Sequence, residues 1–175
     1  MKSTFAAVAA ACMLYFAAGP AESASRAELS SFDATVLTGE KVTEAQLLGQ
    51  PMVLIVTPSR DAAEQTRQWA NALMGRIDPE QIKVRDVIAV DLPFFMSESD
   101  ALGRAKEKIP QRFHDMTWLT AESTIERAFN VPDSSEQAFV FVLGSNGEVM
   151  ARVSGSPTSS RVSEIVSTAQ KLTNN

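Results

Sequence analysis

Cysteine, histidine and tyrosine each occur once in the 175 residues. The first two shortages exclude most reactive-site chemistry. Cys12 lies within an apolar N-terminal run, so a chain that loses this run has no disulfide, no thiolate nucleophile and no thiolate metal ligand. His114 stands alone in "FHDMTW". One imidazole with Met116 two residues on is too few ligands for a metal, and it leaves the many serines without a placed base. Met52, Met74, Met96, Met116 and Met150 are scattered, so no methionine-rich metal tract forms. Gly-rich phosphate loops and zinc-type spacings are missing too. No cofactor and no metal are expected. An excess of positive charge is also lacking: 16 Lys and Arg against 21 Asp and Glu give a net charge of -5. That balance argues against nucleic acid and anionic membrane surfaces as partners.

Long apolar runs are rare as well. The one at the start, Phe5 to Ala18, follows Lys2 and precedes Gly19-Pro20 and the small residues of "AESAS". This is the three-part layout of a secretory signal, and the run is too short to span a bilayer. Ala21-Glu22-Ser23 places cleavage after Ser23, with Ala21 or Ala24 as neighbouring alternatives. Cys12 could instead be a lipoprotein cysteine, but "AAAC" lacks the leucine expected three residues before it. Cleavage removes Lys2 and Glu22 together, so the net charge is unchanged. The expected organisation is a signal peptide over 1–23, a lead-in over 24–33 and a domain over 34–175. The location expected is the periplasm, without membrane insertion after cleavage.

The rest of the chain alternates between two periodicities. "TVLTGEKVTEAQLLGQP" offers a turn at Gly39 and a short helix capped by Thr43 and closed by Gly49. "MVLIV" (Met52 to Val56) is unbroken apolar sequence between prolines, the mark of a strand covered on both faces. From Ser59 the period becomes helical, with Ala62, Thr66, Trp69, Ala70, Leu73 and Ile77 on one side. "VIAVDL" (Val87 to Leu92) reads as a second buried strand. Ser97 to about His114 reads as a helix interrupted at Pro110. Thr117 to Thr120 reads as a short strand segment and Glu122 to Phe129 as a short helix. "AFVFVL" and "EVMARV" form a hairpin about Asn146-Gly147, with Val149, Ala151 and Val153 expected on one face of the second strand. A last helix carries Val162, Ile165, Val166 and Leu172. Alternating βα units followed by a hairpin predict an α/β fold, with a mixed central sheet, a C-terminal antiparallel hairpin and flanking helices.

This order resembles the thioredoxin-like fold in its redoxin-type elaboration, a three-layer sandwich. "VLTGEKVTEAQLLGQPMVLIVTPS" is similar to the redoxin opening and "AFVFVLGSNGEVMARVSG" to the redoxin closing hairpin, so the resemblance covers about residues 33–172. More narrowly, "LLGQPMVLIV", "PSRDAAE", the Trp118 region and "FVFVLGSNGEV" resemble the exported, cysteine-free YtfJ-type family. That resemblance implies a fold and a compartment, and it brings no mechanism. Within the redoxin pattern, Asp61 and Glu64 fall near the two cysteine positions. Gln137-Ala138 stands where a substrate-facing proline is expected, and the nearest proline is Pro132. Both halves of a thiol-disulfide site are replaced.

What remains is a polar cluster at the strand-to-helix junction: Thr57, Ser59, Arg60, Asp61 and Glu64. It reads as a helix start whose free N–H groups, with Arg60, take up an anion or a partner's backbone. The more ordinary reading is capping, with Ser59 or Asp61 as N-cap and Asp61 and Glu64 forming a capping-box-like pair. Capping leaves Arg60 unexplained, because its charge opposes the helix dipole. Phe94 and Phe95, with Met96, form an apolar segment after the second strand. It either covers the helix beneath or offers a contact to another protein. The function expected is a redox-inactive binding or accessory module that recognises a periplasmic protein or peptide, and not an enzyme. The alternatives are a non-thiol enzyme acting on a small anionic ligand at the Ser59–Glu64 helix start, and a structural part of an envelope assembly.

Overall fold

The computed structural model describes residues 32–91, 97–132 and 134–173. Among these, strands β1 (Asp33–Val36) and β2 (Lys41–Thr43) make a hairpin that the sequence pattern did not announce. Each is only three or four residues long, too short for its alternation to register. β1 begins one residue before the expected start of the domain, and Phe32 ahead of it is already buried against Trp118 and Phe129. Helix α1 (Glu44–Leu47) follows. As expected, Thr43 caps it, with Gln46 closing the capping box, and Gly49 then adopts a φ of 92°.

β3 (Met52–Thr57) is buried along its whole length, as an apolar run flanked by two strands requires. It pairs in parallel with β4 (Lys83–Val90) and antiparallel with β6 (Phe139–Leu143). β4 starts four residues earlier than its apolar run suggested, because pairing with β3 recruits the mixed segment "KVRD". Neighbours β5 (Thr117–Ala121) and β7 (Val149–Ser154) complete a seven-stranded sheet in the order β2-β1-β5-β4-β3-β6-β7.

The helices divide between two faces. α1 and α4 (Glu122–Phe129) cover one face, over a core built on Leu54, Val87, Trp118, Ile125 and Phe141. α2 (Ala63–Leu73) and α5 (Ser159–Lys171) cover the other, over Val53, Ile55, Trp69, Val140 and Ile165. Each such aliphatic side chain stabilises the fold by about 1.5–3 kcal/mol relative to exposure. α3 (Glu98–Lys108) buries no residue completely. Ser97 and Asp100 cap its start, and the Glu98 carboxylate accepts from the Thr35 hydroxyl and the Lys41 ammonium, fastening it to the β1–β2 hairpin. The helix stops at Lys108, and a single 3-10 turn (Gln111–Phe113) follows Pro110, the interruption the proline predicts.

The hairpin turn lies at Asn146-Gly147, where Gly147 has a φ of 81°. One expectation fails in β7. A bulge opposite Val142–Leu143 adds a residue at Met150 and shifts the alternation. Val149 therefore packs with the Phe141 core, while Ala151 and Val153 pack with the Val140 core on the other face. A strict two-residue period could not reveal an inserted residue.

Candidate functional site

The junction after β3 is shaped by where its short polar side chains spend their hydrogen bonds. The Thr57 hydroxyl is buried at the strand end and shares a 2.7 Å bond with Thr66 Oγ1, and Thr66 in turn donates to the Ala62 carbonyl. Ser59 Oγ donates to the Ser135 carbonyl at 2.8 Å, tying the junction to the segment that enters β6. Neither Ser59 nor Asp61 caps the helix. The N-cap position falls on Ala62, already in helical φ/ψ, with no side-chain cap. A turn over residues 60–63, closed by the Ala63 N–H on the Arg60 carbonyl, delays the helix by a residue or more, so both candidate caps stand too early. Glu64 pairs with Arg67 at 2.7 Å on the exposed side of the helix, a surface pair of little energetic weight. Arg60 and Asp61 are exposed, and neither side chain forms a hydrogen bond or ion pair with another described residue.

Gln65, which the sequence reading passed over, does the most to hold this region. Its Oε1 accepts from the Ala138 N–H at 3.1 Å, and its Nε2 donates to the Glu136 carbonyl at 3.3 Å. The backbone entering β6, with Gln137-Ala138 where a proline was expected, is thus held from inside the chain. A signal existed for it. Gln65 lies four residues before Trp69 and so shares the inward side of α2, where an amide must find partners. The lacing continues beyond it. Gly155 N–H donates to the Ala138 carbonyl at 2.8 Å, and the Gly155 carbonyl accepts from Trp69 Nε1 at 2.7 Å. Gly155 has a φ of 82°, and a Cβ there would approach Arg161 Nη1 to 3.3 Å, so glycine suits the position on both counts.

Of the seven candidate binding residues, the structure brings Thr57, Ser59, Arg60, Asp61 and Glu64 together at the carboxyl end of β3. Two of them are spent internally, and one is paired within its own helix. Phe94 and Phe95 lie outside the described residues. His114 is half-buried just after the 3-10 turn, with Nε2 at 2.8 Å from the Ile109 carbonyl, and Trp118 is in the core. Among the described residues no group of three His, Cys, Asp or Glu side chains is arranged to hold a metal, and no helix is long and apolar enough to cross a membrane.

Two surface clefts lie away from this junction. One, of about 570 Å³, runs between the loop at Gly75–Ile82 and the end of α5. The other, of about 360 Å³, opens at the amino ends of β3 and β4 beside Met52, Lys83, Arg85 and Trp118. On β4 itself, Arg85 and Asp86 face opposite sides of the sheet. Burial pushes the Asp86 carboxyl up to about 6, and burial lowers Arg85 from its ordinary value, with the Asp115 charge acting in the opposite sense.

This architecture is that of a thioredoxin-like fold. A secreted Mycobacterium tuberculosis disulfide oxidoreductase homologous to E. coli DsbE superposes with a TM-score of 0.52 at 16% identity, over 81% of this chain and 97% of that one. Xanthomonas campestris peroxiredoxin Q does so with a TM-score of 0.57 at 15% identity, over 83% and 94%. BsSco, of the Sco family of cytochrome c oxidase assembly proteins, gives 0.56 at 16% identity, over 82% and 91%. Similarity at this level establishes the redoxin-type fold and nothing finer. No family model matches the sequence, and no curated protein matches it.

Proposed function

We propose that this protein is a redox-inactive binding module of the periplasm, of the YtfJ type, that recognises a protein or peptide at the carboxyl end of β3. One observation carries this reading. Arg60 and Asp61 project without partners among the described residues from a frame that Ser59 and Gln65 tie to the β6 entrance, at the junction where the fold's sulfur chemistry would be. Cys12, the only cysteine, is in the expected signal segment, so the folded domain has nothing with which to exchange disulfides. Two opposite charges side by side on a fixed turn suit a partner that presents its own polar backbone or a complementary charge pair, with the rest of the contact supplied by the adjoining surface. Asp61 and Glu64 are exposed and line neither of the two clefts described above.

The test is crosslinking and affinity capture from periplasm, comparing wild type with Arg60→Ala and with Phe94→Ser/Phe95→Ser. Arg60→Ala changes stability by no more than about 0.5 kcal/mol, since its exposed side chain bonds no described residue. A specific protein captured by wild type and lost in a folded Arg60→Ala supports the reading. Capture that is indifferent to both variants, or none at all, overturns it.

A further inference from the structure

The cleft at the opposite end of the parallel strands has a different chemistry. Lys83 and Arg85, two residues apart on β4, fall on the same side of the strand as Val87, over the core that contains Trp118. Both are half-buried. The Arg85 guanidinium stands 5.9 Å from the centroid of the Trp118 ring, and its Nη1 donates to the Val84 carbonyl at 2.8 Å. That leaves most of the fork without an acceptor among the described residues. No carboxylate among the described residues is within ion-pair distance of Arg85 or Lys83. Asp115 acts on Arg85 only through space, and Glu40 is the one carboxylate residue lining the cleft. A third cation, Lys41, also lines the cleft, but its ammonium is engaged by Glu98 and Thr35.

Desolvating a guanidinium is costly unless an anion compensates. Natural chains normally supply a carboxylate for this, and here the chain supplies an aromatic plane and one carbonyl. We infer that the cleft lined by Met52, Lys83, Arg85 and Trp118 binds a small oxyanion, a phosphate or carboxylate group, with the Arg85 fork donating to it in bidentate fashion and the Lys83 ammonium completing the charge. The cleft's volume of about 360 Å³ suits a small metabolite. The site is independent of the Arg60 junction, which lies at the other end of β3.

Inorganic phosphate and succinate separate the two oxyanion types. Each is titrated into the purified chain at constant ionic strength, with sodium chloride as the screening control. Wild-type Tm rises with the favoured anion beyond the chloride control. In parallel, amide shifts concentrate at Lys83–Asp86 and at the Trp118 indole N–H. Arg85→Gln weakens the apparent affinity about tenfold or more, as expected when a charge-assisted hydrogen-bond pair is lost. Arg85→Lys recovers only part of it, because the ammonium lacks the fork. Arg60→Ala binds the anion like wild type. If chloride matches both oxyanions, or if the shifts fall elsewhere on the wild-type protein, the inference is wrong whether or not the variants fold. Binding that persists unchanged in a folded Arg85→Gln also overturns it.

Discussion

The two ends of the β3–β4 pair are built on opposite principles. At the carboxyl end, neutral polar groups are consumed by the chain itself: Thr57 by Thr66, Ser59 by Ser135, and Gln65 by Glu136 and Ala138. At the amino end, Lys83 and Arg85 are half-buried with no counter-charge in contact among the described residues. Hydrogen bonds between neutral groups define a shape and leave little interaction capacity over. Desolvated cations leave a large one, because each still gains from meeting an anion. In this fold, then, rigidity at one end of a strand pair and chemical appetite at the other are separate properties.

The largest effect should come from breaking the laced end at its root. Trp69→Phe removes the indole N–H from the Gly155 carbonyl in a fully buried position and leaves space behind. A loss of about 3 kcal/mol is expected from the orphaned carbonyl and the cavity together. It would be read as a lower urea midpoint at unchanged m.

Next comes β4, where Asp86 faces the side opposite the cleft. Its folded carboxyl titrates at about 6 against 3.8 for the free group, because burial disfavours the charge. The folded state therefore holds this proton more tightly than the unfolded one. The stability it contributes is complete below about pH 4 and is lost as pH rises through about 6, by roughly 2–3 kcal/mol at most. Asp86→Asn should be more stable than wild type at pH 7.5 and nearly equal to it at pH 4. Equal pH profiles for the two, measured by chemical denaturation, would remove the desolvated carboxylate from the account.

Gln65→Ala should cost about 1 kcal/mol, the net value of a half-exposed hydrogen-bond pair. Its sharper signature is local: faster amide hydrogen exchange at Ala138 with protection in the middle of β3 unchanged. If Ala138 exchanges as in wild type, Gln65 does not hold the β6 entrance. The smallest effect belongs to Arg67→Ala, which breaks only the exposed pair with Glu64. It should change the midpoint of unfolding by no more than about 0.5 kcal/mol.

Much of the architecture could be read from local pattern. The dry run of β3, the stripe of α2 through Trp69 and Leu73, the Pro110 break and the Asn146-Gly147 turn are each written in a few adjacent residues, because period and turn chemistry are local properties. The candidate site was legible as a place and less so as an arrangement. Asp61 and Glu64 looked like caps because spacing alone does not say that the chain makes one more turn before the helix begins. Gln65 was hidden for a related reason: its partners, Glu136 and Ala138, are about seventy residues away.

By itself, then, the sequence determined the composition of the chemistry: a domain without cysteine, one histidine, and an alternation of βα units followed by a hairpin, which calls for a mixed α/β sheet. Tertiary structure alone decided which of the polar groups are spent and which are left over. Hydrogen bonding and desolvation depend on what stands across a gap of about three ångströms, and residues far apart in the chain fill that gap only after the sheet has formed.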